Sequence, residues 1–183
     1  MMDHSMLTVV EILRQAGQVA ASLAETPGHS AGMSRRASLL SRIAVALAAA
    51  GDIPSALQTA ALVRDGFWTL FALDRIAVAQ AERGEVEGAF QTVGVMPPGD
   101  SRGPTTLGQI AAVQFKAGDL TGARRTLLQA LDATGTIRNS TMRCQALSAI
   151  AREQAQVGDV HTALRIVAEM AVENFPPVAL AGC

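Results

Sequence analysis

The stretch from Leu39 to Leu57, LLSRIAVALAAAGDIPSAL, decides the fold because closely similar stretches recur three times further along the 183-residue chain. The other copies are ALDRIAVAQAERGEVEGAF from Ala72, TLGQIAAVQFKAGDLTGAR from Thr106 and ALSAIAREQAQVGDVHTAL from Ala146. All four copies align without gaps on the pattern L-x-x-I-A-x(6)-G-[DE]-hydrophobic-x-x-A, whose Leu, Ile, Gly and two Ala positions are the same in every copy. Recurrence of so many linked positions predicts an array of four similar structural units.

The glycines of the pattern measure the length of each unit. Gly51, Gly84, Gly118 and Gly158 are separated by 33, 34 and 40 residues. A period of 33 or 34 residues is typical of repeats made of two helices joined by a turn. The last spacing contains six extra residues, which we expect around Asp132–Arg138.

Each position of the pattern has a physical use in a helix pair. The Leu, Ile and Ala positions lie three and four residues apart, on one helical face. Glycine adopts the left-handed conformation that ends a first helix, and an Asp directly after it caps the second helix. Asp52, Asp119 and Asp159 suit the capping role, whereas Glu85 is a poorer cap. The last position of the pattern is alanine in all four copies, as Ala56, Ala89, Ala123 and Ala163. Such small side chains let the paired helices approach closely.

These signals predict a lone helix near Ser5–Ala24 followed by four helix pairs. The pairs are expected near Ser34–Ala50 with Ile53–Val63, Phe67–Arg83 with Val86–Val95, Thr105–Ala117 with Leu120–Ala133, and Asn139–Val157 with Val160–Val172. Pro54 falls in a first helical turn, where its missing N–H costs little. Pro27-Gly28, Pro97-Pro98-Gly99 and Pro176-Pro177 are expected in loops or at ends.

A helix pair of this period, with Gly-Asp at the turn and Ala five residues after the Gly, resembles the tetratricopeptide repeat (TPR). The resemblance implies an all-α, right-handed α-solenoid of about four repeats behind one N-terminal helix. The chain departs from the family pattern where aromatic residues are usual, since these positions are Leu47, Gln80, Gln114 and Gln154. Sister repeat types and a divergent, Ala-rich bacterial branch of the family both stay open.

The repeat boundaries divide the chain into three parts. Residues 1–33 form the N-terminal helix and loop, residues 34–175 the four repeats, and residues 176–183 a tail. The repeats are expected at about 34–66, 67–100, 101–137 and 138–175.

Composition excludes several classes of function. The 15 basic and 16 acidic residues give a net charge of −1, which argues against general affinity for nucleic acid. The longest strongly apolar run, Ile43–Ala50, falls far short of the roughly 20 residues that span a bilayer. The N-terminal 25 residues lack a basic leader with an uninterrupted apolar core, so a cytoplasmic protein without a signal peptide is expected.

No pattern of residues predicts catalysis, a metal site or a cofactor. His4, His29 and His161 have no Cys, Asp or Glu at metal-ligand spacing, and Cys144 and Cys183 do not form a metal-type pair. Cys144 is expected to be partly buried near the start of a helix. The segment Gly99–Pro104 is expected to be a turn between repeats rather than an anion-binding loop.

The surface formed by the first helix of each pair is the predicted partner site, since in the TPR family this face forms a concave groove that holds a peptide. Arg42 and Arg75 occupy the same repeat position, so they are expected to project as neighbours that bind a carboxylate or acidic segment. The alternative is that both are solvated or paired locally, because Asp74 adjoins Arg75. Phe67 and Phe71 are expected in the core, which leaves Trp68 on another face as a possible partner anchor. The candidate residues are Arg42, Asp74, Arg75, Gln109, Arg152 and Trp68.

The sequence therefore predicts a non-enzymatic adaptor that binds a protein or peptide. The alternative is a scaffold that self-assembles through the ends of its solenoid into a homo-oligomer, because repeat arrays need polar caps at both ends. The last helix, with Ala163, Ile166 and Val167, and the apolar tail after it favour this alternative at one end. Nucleic-acid binding is a weaker hypothesis, since it would need the arginines aligned on one face.

Overall fold

The computed structural model describes residues 4–22 and 35–174, and in these ranges all regular elements are α-helices. The helices are α1 His4–Ser22, α2 Arg35–Ala49, α3 Ile53–Ala61, α4 Gly66–Glu82, α5 Val86–Gly94, α6 Arg102–Lys116, α7 Leu120–Thr134, α8 Ser140–Gln156 and α9 Val160–Asn174. Sequential helices pack as the pairs α2–α3, α4–α5, α6–α7 and α8–α9. The prediction of an all-α fold of helix pairs is confirmed. The predicted loop at Pro27-Gly28, His29, and the tail at 176–183 with Pro176-Pro177 and Cys183 lie outside the described residues.

The turn inside each pair follows from its glycine. Gly51, Gly84, Gly118 and Gly158 have φ between 82° and 89°, as the pattern predicts. In the first pair, the Asp52 backbone N–H donates to the Leu47 carbonyl at 2.9 Å and the Gly51 N–H donates to the Ala48 carbonyl at 3.0 Å. This is the Schellman arrangement, which satisfies carbonyls that the helix end would leave without partners.

The residue after each glycine caps the second helix where it is Asp. The carboxylates of Asp52, Asp119 and Asp159 accept from backbone N–H groups three residues on, at 3.3, 2.8 and 3.1 Å. The hydrogen bond from the Thr162 backbone holds the pKa of Asp159 below its ordinary value. Glu85 makes no such bond, which confirms that it is the poorer cap. Asp65 and Asn139 cap α4 and α8 in the same way, although they lie outside the repeat pattern.

The chain divides into two compact units, residues 1–96 and 97–183. In the first unit, Ala44, Leu47, Ala56, Ala72 and Ile76 are fully buried members of one cluster. The second unit has its own cluster on α6–α9, and its members are Ala111, Ala123, Leu127, Ala130, Leu147, Ile150, Ala151, Val157 and Ile166. The alanine of each pattern is buried, with Ala163 the most exposed at 7%. These alanines let the two helices of a pair pack closely, as predicted.

The six extra residues of the third repeat lengthen a helix. α7 contains 15 residues, whereas its counterparts α3 and α5 contain 9 each. The insertion predicted around Asp132–Arg138 therefore begins inside α7, which ends at Thr134. A loop of five residues then leads to α8 at Ser140.

α1 packs against α2 and is held by a polar contact to α3. The Arg14 guanidinium donates to the Asp52 carboxylate at 2.8 Å and to the Ser55 hydroxyl at 3.2 Å. Burial raises the pKa of Asp52, but the hydrogen bonds from Ser55 and Arg14 outweigh it and hold this pKa below the ordinary value. Since the folded state lowers this pKa, the contribution of Asp52 to stability is present above its unfolded pKa and is lost as the pH falls through its folded pKa.

Candidate partner-binding surfaces

The predicted site residues are divided between the two units. Arg42 lies on α2, Asp74 and Arg75 lie on α4, and all three belong to the first unit. α2 and α4 pack against each other, and Arg42 is exposed with no ion pair among the described residues. Arg75 Nε lies 3.7 Å from Asp74 Oδ2, which supports the local pairing considered above for this arginine.

In the second unit, Arg152 on α8 lies beside Glu153. The Arg152 Nη2 atom is 3.2 Å from Glu153 Oε1, and Nε donates to the same oxygen at 3.2 Å. Gln109 on α6 is half-buried. We call the exposed positions of α2 and α4 around Arg42 and Arg75 the first-helix surface, and its role in binding stays a prediction.

The burial of the aromatic cluster formed by Phe67, Trp68 and Phe71 differs from the prediction. Phe67 is 56% exposed, so the expectation that it belongs to the core is wrong. Trp68 is half-buried against the core cluster that contains Leu40 and Val63, and its ring contacts Phe67 and Phe71 edge to face. The reason is helical register: Trp68 is four and eight residues before Ala72 and Ile76, which are both fully buried in α4. Positions 68, 72 and 76 are four residues apart and share one helical face, so this spacing could have predicted that Trp68 lies on the core side of α4.

An apolar groove of about 350 Å³ lies on the second unit, between α8 and α9. Its lining consists of Ser148, Ala151, Arg152, Ala155, Val160, Ala163, Leu164, Val167 and Met170. Val160, Leu164 and Val167 are 55%, 64% and 53% exposed, and they follow one another at helical spacing on α9. No helix of the described residues covers this α8–α9 groove.

The repeat alignment shows what the same surface does elsewhere in the chain. The groove residues Ala151, Ala155, Val160, Ala163 and Val167 align with Ala44, Ala48, Ile53, Ala56 and Ala60 of α2–α3. All five α2–α3 residues are buried in one cluster with Val10 of α1 and with Ala72 and Ile76 of the next helix, α4, which packs on both α2 and α3. The groove is therefore the counterpart of a surface that binds a helix in the first repeat.

The third repeat repeats this arrangement. Ala111, Ala123 and Leu127 of α6–α7 align with Ala151, Ala163 and Val167 of the groove. They share a buried cluster with Leu147 and Ile150 of α8. In both cases the occupant is the first helix of the following repeat, and it contributes aliphatic side chains three or four residues apart.

A buried Gln–Thr hydrogen bond joins the two helices of the second repeat, and another joins those of the third repeat. The Thr92 hydroxyl donates to Gln80 Oε1 at 2.7 Å, and the Thr126 hydroxyl donates to Gln114 Oε1 at 2.7 Å. The fourth repeat keeps the glutamine, Gln154, but has Ile166 where the threonine stands in the others. Consequently Gln154 Oε1 is buried without a hydrogen-bond partner among the described residues. A Gln and a Thr twelve residues apart are the sequence signal for this pair.

Replacing Gln154 by Leu is expected to raise the free energy of unfolding by about 1 kcal/mol, because an unsatisfied buried acceptor costs about 1–3 kcal/mol. The first repeat already carries a fully buried leucine, Leu47, at this position. Urea denaturation at constant m-value measures the change. Gln114→Leu is the matched control and should give no gain, since it removes the acceptor of Thr126. Equal shifts in the two variants would contradict the explanation.

Metal-ligating clusters and membrane-spanning helices were the other features to consider in the described residues. They contain no group of three or more His, Cys, Asp or Glu side chains that could hold a metal ion. No described helix has the length and apolar character needed to cross a membrane.

Cys144 is half-buried in the second turn of α8, as predicted. In the turn before α6, Asp100 accepts a hydrogen bond from the Arg102 backbone N–H at 2.8 Å, so a carboxylate of the chain itself lies at this helix N-terminus.

No protein-family model matches this chain, and no curated protein sequence matches it. Among solved structures, it is similar to the nearly identical TPR-like repeats of a candidate kinesin light chain from Podosopora anserina. The two chains are 16% identical, with 92% of this chain and 88% of that chain covered and a TM-score of 0.44. The described residues of this chain themselves show the helix pairs, the Gly-Asp or Gly-Glu turns and the buried alanines of the repeat pattern. The bacterial, Ala-rich assignment stays a prediction.

Proposed function

We propose that this chain is a non-enzymatic protein-interaction module whose α8–α9 groove binds an amphipathic helix of a protein partner. The observation that carries the proposal is the equivalence of the groove to the surface of α2–α3 that holds α4. Burial of exposed aliphatic side chains is the main source of affinity in such helix-in-groove binding. Val160, Leu164 and Val167 supply the exposed apolar area.

The chemistry of the occupant follows from the helices that fill the equivalent surfaces. α4 contributes Ala72 and Ile76, and α8 contributes Leu147 and Ile150. The partner helix therefore carries aliphatic residues at positions i, i+3 or i+4, and i+7. Arg152 lines the groove with a side chain that is 68% exposed, so an acidic residue beside the apolar stripe would add a favourable contact.

A fluorescent peptide with the sequence of α4, Gly66–Glu82, is the probe for this groove. The peptide is expected to bind the full chain saturably, as measured by fluorescence anisotropy. Leu164→Glu should weaken binding by about tenfold or more, because it places a charge where the partner helix must bury its aliphatic side chains.

Leu128→Glu is the matched control, since Leu128 is also an exposed leucine on a second helix, 57% exposed on α7 outside the groove. It should leave the affinity for the peptide unchanged. A peptide that does not bind, or that binds Leu164→Glu and Leu128→Glu equally well, would contradict the proposal.

Binding of an acidic peptide on the first-helix surface is the second candidate function, supported by the exposed Arg42 on a helix that packs against the helix of Arg75. The double variant Arg42→Glu/Arg75→Glu is expected to abolish binding of a fluorescent hexaglutamate peptide at low salt, because charge reversal turns attraction into repulsion. Anisotropy titration measures this loss. Arg35→Glu/Arg64→Glu changes the same charge at two other exposed arginines. If it reduced binding as much, the attraction would reflect net charge rather than this surface.

A further inference from the structure

α1 carries two apolar stripes of identical spacing, and one of them has no partner among the described residues. The stripe that faces the core of the first unit contains Val10, Leu13, Gly17 and Ala20. The other stripe lies one residue earlier at each position, and its members are Val9, Ile12, Ala16 and Val19. Val9, Ile12 and Val19 are 49%, 59% and 63% exposed. α1 is therefore an amphipathic helix with more apolar surface than the described residues of its own unit bury.

We propose that the α8–α9 groove of one molecule binds the exposed stripe of α1 from a second copy. This inference rests on the proposed function, since it names the partner of the same groove. The two surfaces in contact differ, so the association is head-to-tail. In a pair, one molecule still has a free α1 stripe and the other still has a free groove. Such heterologous contacts build rings or open filaments rather than closed symmetric dimers.

The spacing of α1 fits the chemistry of the groove. The helices that fill the equivalent surfaces contribute Ala72 with Ile76, four residues apart, or Leu147 with Ile150, three apart. The exposed stripe of α1 offers both spacings, since its members follow one another at three, four and three residues. Its side chains are mainly β-branched aliphatics of the same size class as those occupants.

The charges beside the two surfaces are complementary. Glu11 adjoins Ile12 on α1, and its side chain is 58% exposed and lies 3.9 Å from Arg14. Arg152 lines the groove, and its side chain is 68% exposed and lies 3.2 Å from Glu153. Opposite charges at the rim of an apolar contact favour the correct pairing and discourage the pairing of two identical surfaces. This favours α1 over a second α8–α9 groove as the occupant.

The contact is small, which sets the expected strength. One helix in one groove buries less than the roughly 1,200–2,000 Å² of a stable protein complex. The association is therefore weak and reversible, with dissociation at concentrations of about 10 µM to 1 mM. Sedimentation velocity of the full chain over this range should show a weight-average mass that rises steadily with concentration.

Single variants identify the two surfaces. Ile12→Glu removes the α1 stripe and Leu164→Glu removes the groove, so each variant alone should sediment as a monomer at all concentrations. Both residues are exposed, and circular dichroism should show the helix content and thermal midpoint of the control Leu128→Glu. That control should associate as the unchanged chain does.

Mixing the two variants decides the geometry. Ile12→Glu keeps an intact groove and Leu164→Glu keeps an intact α1 stripe, so an equimolar mixture should form a one-to-one complex and stop there. A groove-to-groove dimer predicts instead that Ile12→Glu associates on its own and that mixing adds nothing. Either that result, or a wild-type chain that stays monomeric up to 1 mM, would overturn the head-to-tail proposal. If the chain is monomeric but binds the α4 peptide, only the head-to-tail proposal fails. If the chain neither self-associates nor binds the peptide, the proposed function fails as well.

Discussion

Replacing Ile76 by Asp is expected to unfold the helices around it, between residues 35 and 94. Ile76 is fully buried in the cluster that joins α2, α3 and α4. Burial of its side chain contributes on the order of 1.5–3 kcal/mol. An Asp at this position adds the cost of removing a carboxylate from water without a partner, which is several kcal/mol more. Together these costs are comparable to the roughly 5–15 kcal/mol that stabilises a typical domain.

The measurement is thermal unfolding by circular dichroism, combined with amide hydrogen exchange of α2–α5. Amide protection in these helices should fall sharply in Ile76→Asp. Leu39→Asp introduces the same side chain at a position of α2 that is 42% exposed, and it should leave the midpoint nearly unchanged. A full-length Ile76→Asp protein with an unaltered thermal midpoint would refute the repeat assignment, since Ile76 holds one of its defining positions.

The positions that define the repeat were predictable because their roles are local. A glycine with positive φ, an Asp after it and an alanine four residues further on depend on one turn and one helix contact. The structure places Gly51, Asp52 and Ala56 in those roles. The same local rules predicted the start of α3, α5, α7 and α9 to the residue.

Features that depend on contacts between distant residues were harder to predict. Phe67 and Phe71 share a helical face, but which face is buried depends on where α2 lies, and Trp68 lies nearer to that core. The bond between Gln114 and Thr126 joins two helices through side chains that are usually exposed. Neither arrangement has a signature in a single helical stretch.

The α8–α9 groove belongs to a third kind of feature, one visible only by comparing repeats. Leu164 and Val167 fit an ordinary amphipathic helix in the sequence. Aligning the repeats relates Leu164 and Val167 to a surface of α2–α3 that α4 covers. Repetition thus supports the proposal that this surface binds a helix, and it indicates which side chains such a helix would use.

Replacing Ala123 by Phe is the second variant with a large expected effect, and it tests the close packing of a pair. Ala123 is fully buried between α6, α7 and α8, in contact with the cluster that contains Ala111, Leu127 and Ile150. Extra side-chain volume in a packed core forces shifts that cost about 1–3 kcal/mol and occasionally more. A benzyl side chain replaces a methyl group here, so we expect a loss of about 3 kcal/mol or more.

That loss corresponds to a lowering of the thermal midpoint by about 6–12 °C for a chain of this size. The matched control is Ala49→Phe, because Ala49 is exposed in the last turn of α2 and the same ring there meets solvent. The difference in midpoint between the two variants isolates packing from the small helix-propensity cost of Phe. Equal midpoints would show that α6 and α7 tolerate a wider separation, and the alanine of the repeat pattern would then need another explanation than close approach of the paired helices.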